Sequence, residues 1–175
     1  LRQQGLEERA GTYIRMGLEA WNQSPDSEQK NPPYEYWRML GKHALTTHSI
    51  PDATQYMMMA LKGFRSANDR LGEAMTLKNL GELYYYRQFD AWSEYYLQAA
   101  QRLLKEVRPQ SIGLGNVYLH LGNLYFEEGR IAESRGAYEK ARDIFHIHRD
   151  TLSLAQAHQG IGILYSLEQN YSASL

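Results

Sequence analysis

Apolar residues return along this chain at helical intervals, and a longer phrase returns with them. The stretch LGNLYFEEGRIAESRGAYEKA, residues 121–141, reads as two amphipathic helices meeting at Gly129, with no strand-like alternation. Slid along the chain, it matches at Leu40-Gly41, Leu80-Gly81, Leu121-Gly122 and Ile161-Gly162, whose glycines stand 40, 41 and 40 residues apart. Four residues before each glycine come Trp37, Leu77, Tyr118 and His158, and three after it come Ala44, Tyr84, Tyr125 and Tyr165. This predicts one amphipathic helix written four times. Further on, a small residue, a large apolar one and an alanine recur as Ala53, Met57, Ala60, then Ser93, Leu97, Ala100, then Ser134, Tyr138, Ala141. Their i, i+4, i+7 spacing puts them on one face of a second helix. Of the fourth set only Ser174 is reached.

A fixed period in this range marks a repeat array, in which each helix pair buries its apolar face only by stacking on its neighbours. The fold class expected is therefore all-α, an α-solenoid of antiparallel helix pairs forming one continuous domain. Its parts are an N-terminal helix and loop over 1–33, units at 34–70, 71–110 and 111–149, and the first helix of a fourth unit in 150–175. The punctuation agrees: Pro51 suits the first turn of a helix, Pro109 stops one, Asp90 and Ser111 are expected N-caps, and Gly129 sits at a turn. Residues 4–22 also have helical spacing, as an earlier partial repeat or a cap, and SPDSEQKNPP at 24–33 reads as a loop. At the other end a second helix is due to begin at NYSASL, leaving the helix of 151–167 without its partner. The expectation is that this apolar end meets a second copy of the chain, or that a parent protein continues past it.

At this point the chain resembles the tetratricopeptide repeat family, whose signature is W-x2-L-G-x2-Y followed by A-x3-F. Trp37-Arg38-Met39-Leu40-Gly41 matches the opening literally, and the resemblance covers residues 34–175. It departs in its longer period and in the serines Ser93, Ser134 and Ser174, which replace an alanine. The longer period is similar to the extended repeats of polarity scaffolds, kinesin light chains and several bacterial regulators. The resemblance implies a right-handed superhelix whose first helices line a concave groove.

Each helical residue turns about 100°, so residues one and five after the glycine, and two, three and six before it, lie opposite the packed face. The resemblance implies that this opposite face is the groove wall. Those places hold Glu35, Arg38, Met39, Lys42 and Thr46 in the first unit, Met75, Lys78, Asn79, Glu82 and Tyr86 in the second, and Asn116, Leu119, His120, Asn123 and Glu127 in the third. The fourth supplies Gln156, Gln159, Gly160, Ile163 and Leu167. Arg38, Lys42 and Lys78 are expected to make one end basic and receptive to carboxylates or phosphates. Asn79, Asn116 and Asn123 are expected to hold a peptide main chain by their amides. The carboxylate clamp of some family members is not carried over, because Glu82 and Leu119 occupy its places. Tyr84, Tyr125, Tyr138 and Tyr165 fall at core positions, leaving Tyr86 as the tyrosine expected to meet a ligand.

Composition narrows the function. Nineteen basic residues stand against 20 acidic ones in 175, a net charge of −1 that draws the chain to neither nucleic acid nor anionic lipid. There is no cysteine, which removes disulfides, thiol nucleophiles and thiolate metal sites. No apolar run is long enough to span a membrane and no leader pattern opens the chain, so a cytoplasmic location is expected. The histidines His146 and His148, two apart, point away from each other, and neither a metal site nor a catalytic constellation is legible. Gly113 and Gly115 lack the strand and third glycine of a dinucleotide fingerprint and are expected to allow close helix packing instead. The expected function is that of a non-catalytic protein-interaction module, without cofactor, that binds a partner segment of acidic character in its groove. The alternative is a sensor segment of a larger bacterial signalling or transcription-regulator protein that takes a peptide or small molecule.

Overall fold

The computed structural model describes residues 34–47 and 49–173, together with 12–17, 19, 20, 22 and 23. Seven helices follow one another from residue 34: α1 (Tyr34–Thr46), α2 (Ile50–Ser66), α3 (Arg70–Tyr86), α4 (Asp90–Val107), α5 (Ile112–Glu127), α6 (Ile131–His148) and α7 (Thr151–Ala173). The described residues contain no strand. Of the expected N-terminal helix, residues 12–17, 19, 20 and 22 are helical; the rest of it, the loop at 24–33 and Ser174 lie outside the described residues.

The helices pair as α1 with α2, α3 with α4 and α5 with α6, and α7 packs on α6. Each hairpin stacks on the next through α2 with α3 and α4 with α5, while the first helices also touch directly, α1 with α3, α3 with α5 and α5 with α7. A single apolar core threads the stack, from Ala44, Met57 and Leu61 through Leu77, Leu80, Leu97 and Leu104 to Val117, Phe145 and Leu164. Burying each such leucine stabilises the fold by about 1.5–3 kcal/mol, so the stacking supplies what one hairpin alone lacks.

The recurring glycine is explained by the second helix. A Cβ on Gly41 would lie 2.6 Å from Met57 Cγ, one on Gly81 2.6 Å from Leu97 Cγ, and one on Gly122 2.7 Å from Tyr138 Cδ1. The large apolar residue of each second helix thus seats on the glycine of the first. Gly162, which has no such residue against it, would meet nothing within 4 Å. The serines that depart from the alanine pattern act at the same crossing. Ser93 Oγ donates to the carbonyl of Gly81 at 3.0 Å and Ser134 Oγ to that of Gly122 at 2.8 Å, both fully buried. Each satisfies its own hydroxyl and ties the two helices of its hairpin together.

Pro51 falls in the first turn of α2, Pro109 follows the end of α4, Ser111 Oγ accepts from Leu114 N–H as an N-cap, and Gly129 turns with φ +73°. Three expectations are corrected. Asp90 is the first residue of α4 and an acidic first-turn residue, while Phe89 occupies the N-cap. Tyr165 is 52% exposed, because no second helix covers it among the described residues; the Arg135 guanidinium lies 4.7 Å over its ring instead. Finally, α7 does not stop at 167 but runs to Ala173. Its Gln169 matches Gln88 and Gly129, which take left-handed φ values at the turns. Entering that region costs a glutamine energy, which at Gln88 the packing of α4 on α3 offsets.

Candidate functional site

A cavity of about 590 Å³ opens along the faces of α3, α5 and α7. It is lined from α3 by Glu82, Tyr85 and Tyr86, and from α5 by Asn116, Leu119, His120, Asn123, Phe126 and Glu127. Helix α7 adds Gln156, Gln159, Gly160 and Ile163, and α6 contributes Tyr138. The expected groove residues Tyr86, Asn116, His120 and Asn123 therefore come together in one wall, as do Glu82, Leu119, Glu127, Gln156, Gln159, Gly160 and Ile163. A second cavity, of about 800 Å³, lies at the turn from α4 to α5 among Leu71, Met75, Val107, Pro109, Ile112 and His148; of the residues expected on the groove wall, Met75 lies here and not at the first cavity.

The other expected residues sit elsewhere. Lys78 is buried and its ammonium lies 2.5 Å from Glu82 Oε1, so it is the counter-ion of a groove carboxylate and not a free groove cation. Asn79 is 1% exposed, and neither its amide oxygen nor its amide nitrogen has a hydrogen-bond partner among the protein groups. Both were placed on the open face by the geometry of a lone helix. In the array, neighbouring first helices lie in direct contact and cover part of that face. Arg38 donates to Glu35 on its own helix, a charge pair three residues apart, and Lys42 is exposed; neither lines the cavity.

The polar floor is organised. Glu82 Oε1 receives Lys78 Nζ and lies 3.3 Å from His120 Nε2. Burial alone would raise the Glu82 carboxyl, but the hydrogen bond from His120 and the charge of Lys78 outweigh it and hold it at about 2. Tyr85 Oη donates to Glu127 Oε1 at 2.5 Å, and its ring stands edge-on to His120 with centroids 5.9 Å apart. Burial and that carboxylate both raise the Tyr85 phenol, keeping it a neutral donor. Tyr138 Oη donates to Asn123 Oδ1 at 2.7 Å, and burial pushes this phenol up to about 12. The Tyr138 ring is clasped between two glycines: a Cβ on Gly122 would come within 2.7 Å of it and one on Gly160 within 2.5 Å.

Tyr85, Phe126 and Tyr138 were not among the expected groove residues. Tyr85 and Phe126 carry a legible signal, since both stand four residues past their glycine, aromatic residues at the same register in consecutive units. Tyr138 serves core and cavity at once. The wall as a whole presents amides, carboxylates, tyrosines and a few apolar side chains, a surface suited to hydrogen-bonding a polar backbone. Among the described residues, no group of three or more histidine, aspartate or glutamate side chains is arranged to hold a metal ion. No helix there is long and apolar enough to cross a membrane.

No protein-family model matches the chain, and no curated protein matches it. Among solved structures it is similar to the crystal structure of BtubC (BKLC) from P. vanneervenii, with a TM-score of 0.77 and 18% identity. The likeness covers 98% of this chain and 70% of that one. At that identity the shared property is the fold. The tetratricopeptide family assignment is corrected accordingly: no family model supports it, and the solved structure sharing the fold bears the name of BtubC (BKLC) and not of that family. What stands is an all-α array of stacked helical hairpins.

Proposed function

We propose that this chain is a protein-interaction module that holds an extended segment of a partner polypeptide in the groove along α3, α5 and α7. The right-handed superhelical course expected of such an array belongs to the same proposal. The observation that carries it is the set of amides on the wall: Asn116, Asn123, Gln156 and Gln159 all line one cavity, together with Leu119, Phe126 and Ile163. Amides supply both donors and acceptors, so they match the alternating N–H and C=O of an extended main chain whatever its sequence. The apolar residues between them add affinity by burial. Because the wall is built on packed helices, little of it must be ordered on binding, and the entropic cost falls mainly on the ligand. The module is read as a binder and not a catalyst.

The test is a selection of peptides from a random display library on the immobilised chain, followed by titration against the native protein and Ile163→Trp. Ile163 is 43% exposed on the wall, so the larger ring fills the groove with little disturbance of the core. The reading predicts that selected peptides bind the native chain and lose at least about tenfold in affinity for the variant, the usual scale of a displaced contact at an interface. Peptides that bind both equally would place recognition outside the groove and overturn it.

A further inference from the structure

The groove reading leaves the character of the ligand open, and the charges of the wall bear on it; the inference that follows rests on that reading. Two carboxylates, Glu82 and Glu127, line the cavity, and among the described residues no lysine or arginine does. The cation that answers Glu82 is Lys78, which has 8% of its side chain exposed and is itself absent from the lining. It neutralises Glu82 without offering an ammonium to the groove. Glu127 is exposed at the mouth and uses one oxygen to accept from Tyr85. Next to them Tyr86, 66% exposed, meets Tyr85 edge-on with centroids 5.7 Å apart. The nearby Arg130 does not neutralise this wall, since its guanidinium is held by Glu94, Glu128 and Glu133.

A carboxylate with a free oxygen beside an exposed tyrosine ring attracts an ammonium or a guanidinium, by ion pairing and by the negative face of the ring together. A ligand carboxylate at the same place would face like charge with no lysine or arginine of the groove among the described residues to answer it, and His120 is directed to Glu82. From this wall we infer that the segment held in the groove presents a lysine or arginine side chain to Glu127 and Tyr86. This reverses the acidic preference expected from Arg38, Lys42 and Lys78. Of these, Arg38 and Lys78 are engaged by Glu35 and Glu82, and Lys42 lies outside the cavity.

The experiment uses two pools of labelled, randomised short peptides that differ only in a central lysine or a central glutamate. Each is titrated by fluorescence anisotropy against the native chain, Glu127→Gln and Ile163→Trp. The expected result is that the lysine pool binds about tenfold tighter than the glutamate pool, that Glu127→Gln removes most of this difference, and that Ile163→Trp weakens both pools. If both pools bind equally, or the glutamate pool binds tighter, and Ile163→Trp weakens them, the groove reading stands and the inference of a basic ligand is overturned. If the preference persists in Glu127→Gln, the assignment to that carboxylate is overturned. If neither pool binds, or Ile163→Trp has no effect, the groove reading itself falls and takes the inference with it.

Discussion

The same glycine-to-alanine change is expected to have opposite signs at two positions of neighbouring helices. At Gly122 an added Cβ would lie 2.7 Å from both Tyr138 Cδ1 and Cε1 and 3.1 Å from Cγ. The ring cannot retreat freely, because it is buried, donates to Asn123 and is flanked on its other side by Gly160. Overpacking of this kind costs about 1–3 kcal/mol, against a gain in helix propensity of about 1 kcal/mol for alanine over glycine. The net expectation at Gly122 is a loss of up to about 2 kcal/mol. At Gly136, inside α6, a Cβ would meet nothing within 4 Å, so the propensity gain stands alone and stability rises by about 0.5–1 kcal/mol. Urea unfolding followed by far-ultraviolet circular dichroism reads both, with Gly162→Ala as a third case expected to behave like Gly136. Equal signs at Gly122 and Gly136 would refute the view that the repeated glycine exists to seat the second helix.

Ser93→Ala and Ser134→Ala are each expected to cost about 1 kcal/mol in the same assay, since each leaves a buried glycine carbonyl without its hydroxyl donor; no loss at either site would show that these bonds are incidental. Glu82 predicts an acid-dependent stability: its carboxyl is lowered from 4.5 to about 2 in the fold. A depressed carboxylate stabilises above the unfolded value and loses that contribution as pH falls from about 4.5 towards 2, here on the order of 3 kcal/mol. Glu82→Gln is expected to flatten the pH profile over that window while lowering stability near neutrality, because buried Lys78 is left without its counter-ion. A variant with the native pH profile would contradict the assignment.

The hairpin framework was legible because its cause is local to each unit. The glycine and the large apolar residue sixteen positions later touch within one hairpin, so a spacing in sequence corresponds to a contact in space. The lining of the cavity was legible where one helix decides exposure, as for Tyr86, Asn116 and Asn123. It failed where neighbours decide. Lys78 and Asn79 lie on the open side of a lone α3, yet both are buried in the stack. The ion pair of Lys78 with Glu82 is contained in their spacing of four residues, and that of Arg38 with Glu35 in a spacing of three, so the two captured cations carried a signal. The contacts of Tyr138 with Gly160 and Asn123 join three helices and carry no such sequence trace.

Whether a ligand sits on the wall of α3, α5 and α7 is read most directly by nuclear magnetic resonance of the side-chain amides on adding a display-selected peptide. The Asn116, Asn123, Gln156 and Gln159 resonances are expected to shift together and saturably, with those of Gln98 and Gln101 on α4 unmoved. Shifts confined to residues outside the groove, such as the α4–α5 turn around Gln110 or the exposed aromatic rings Trp92 and Tyr95, would contradict the groove reading.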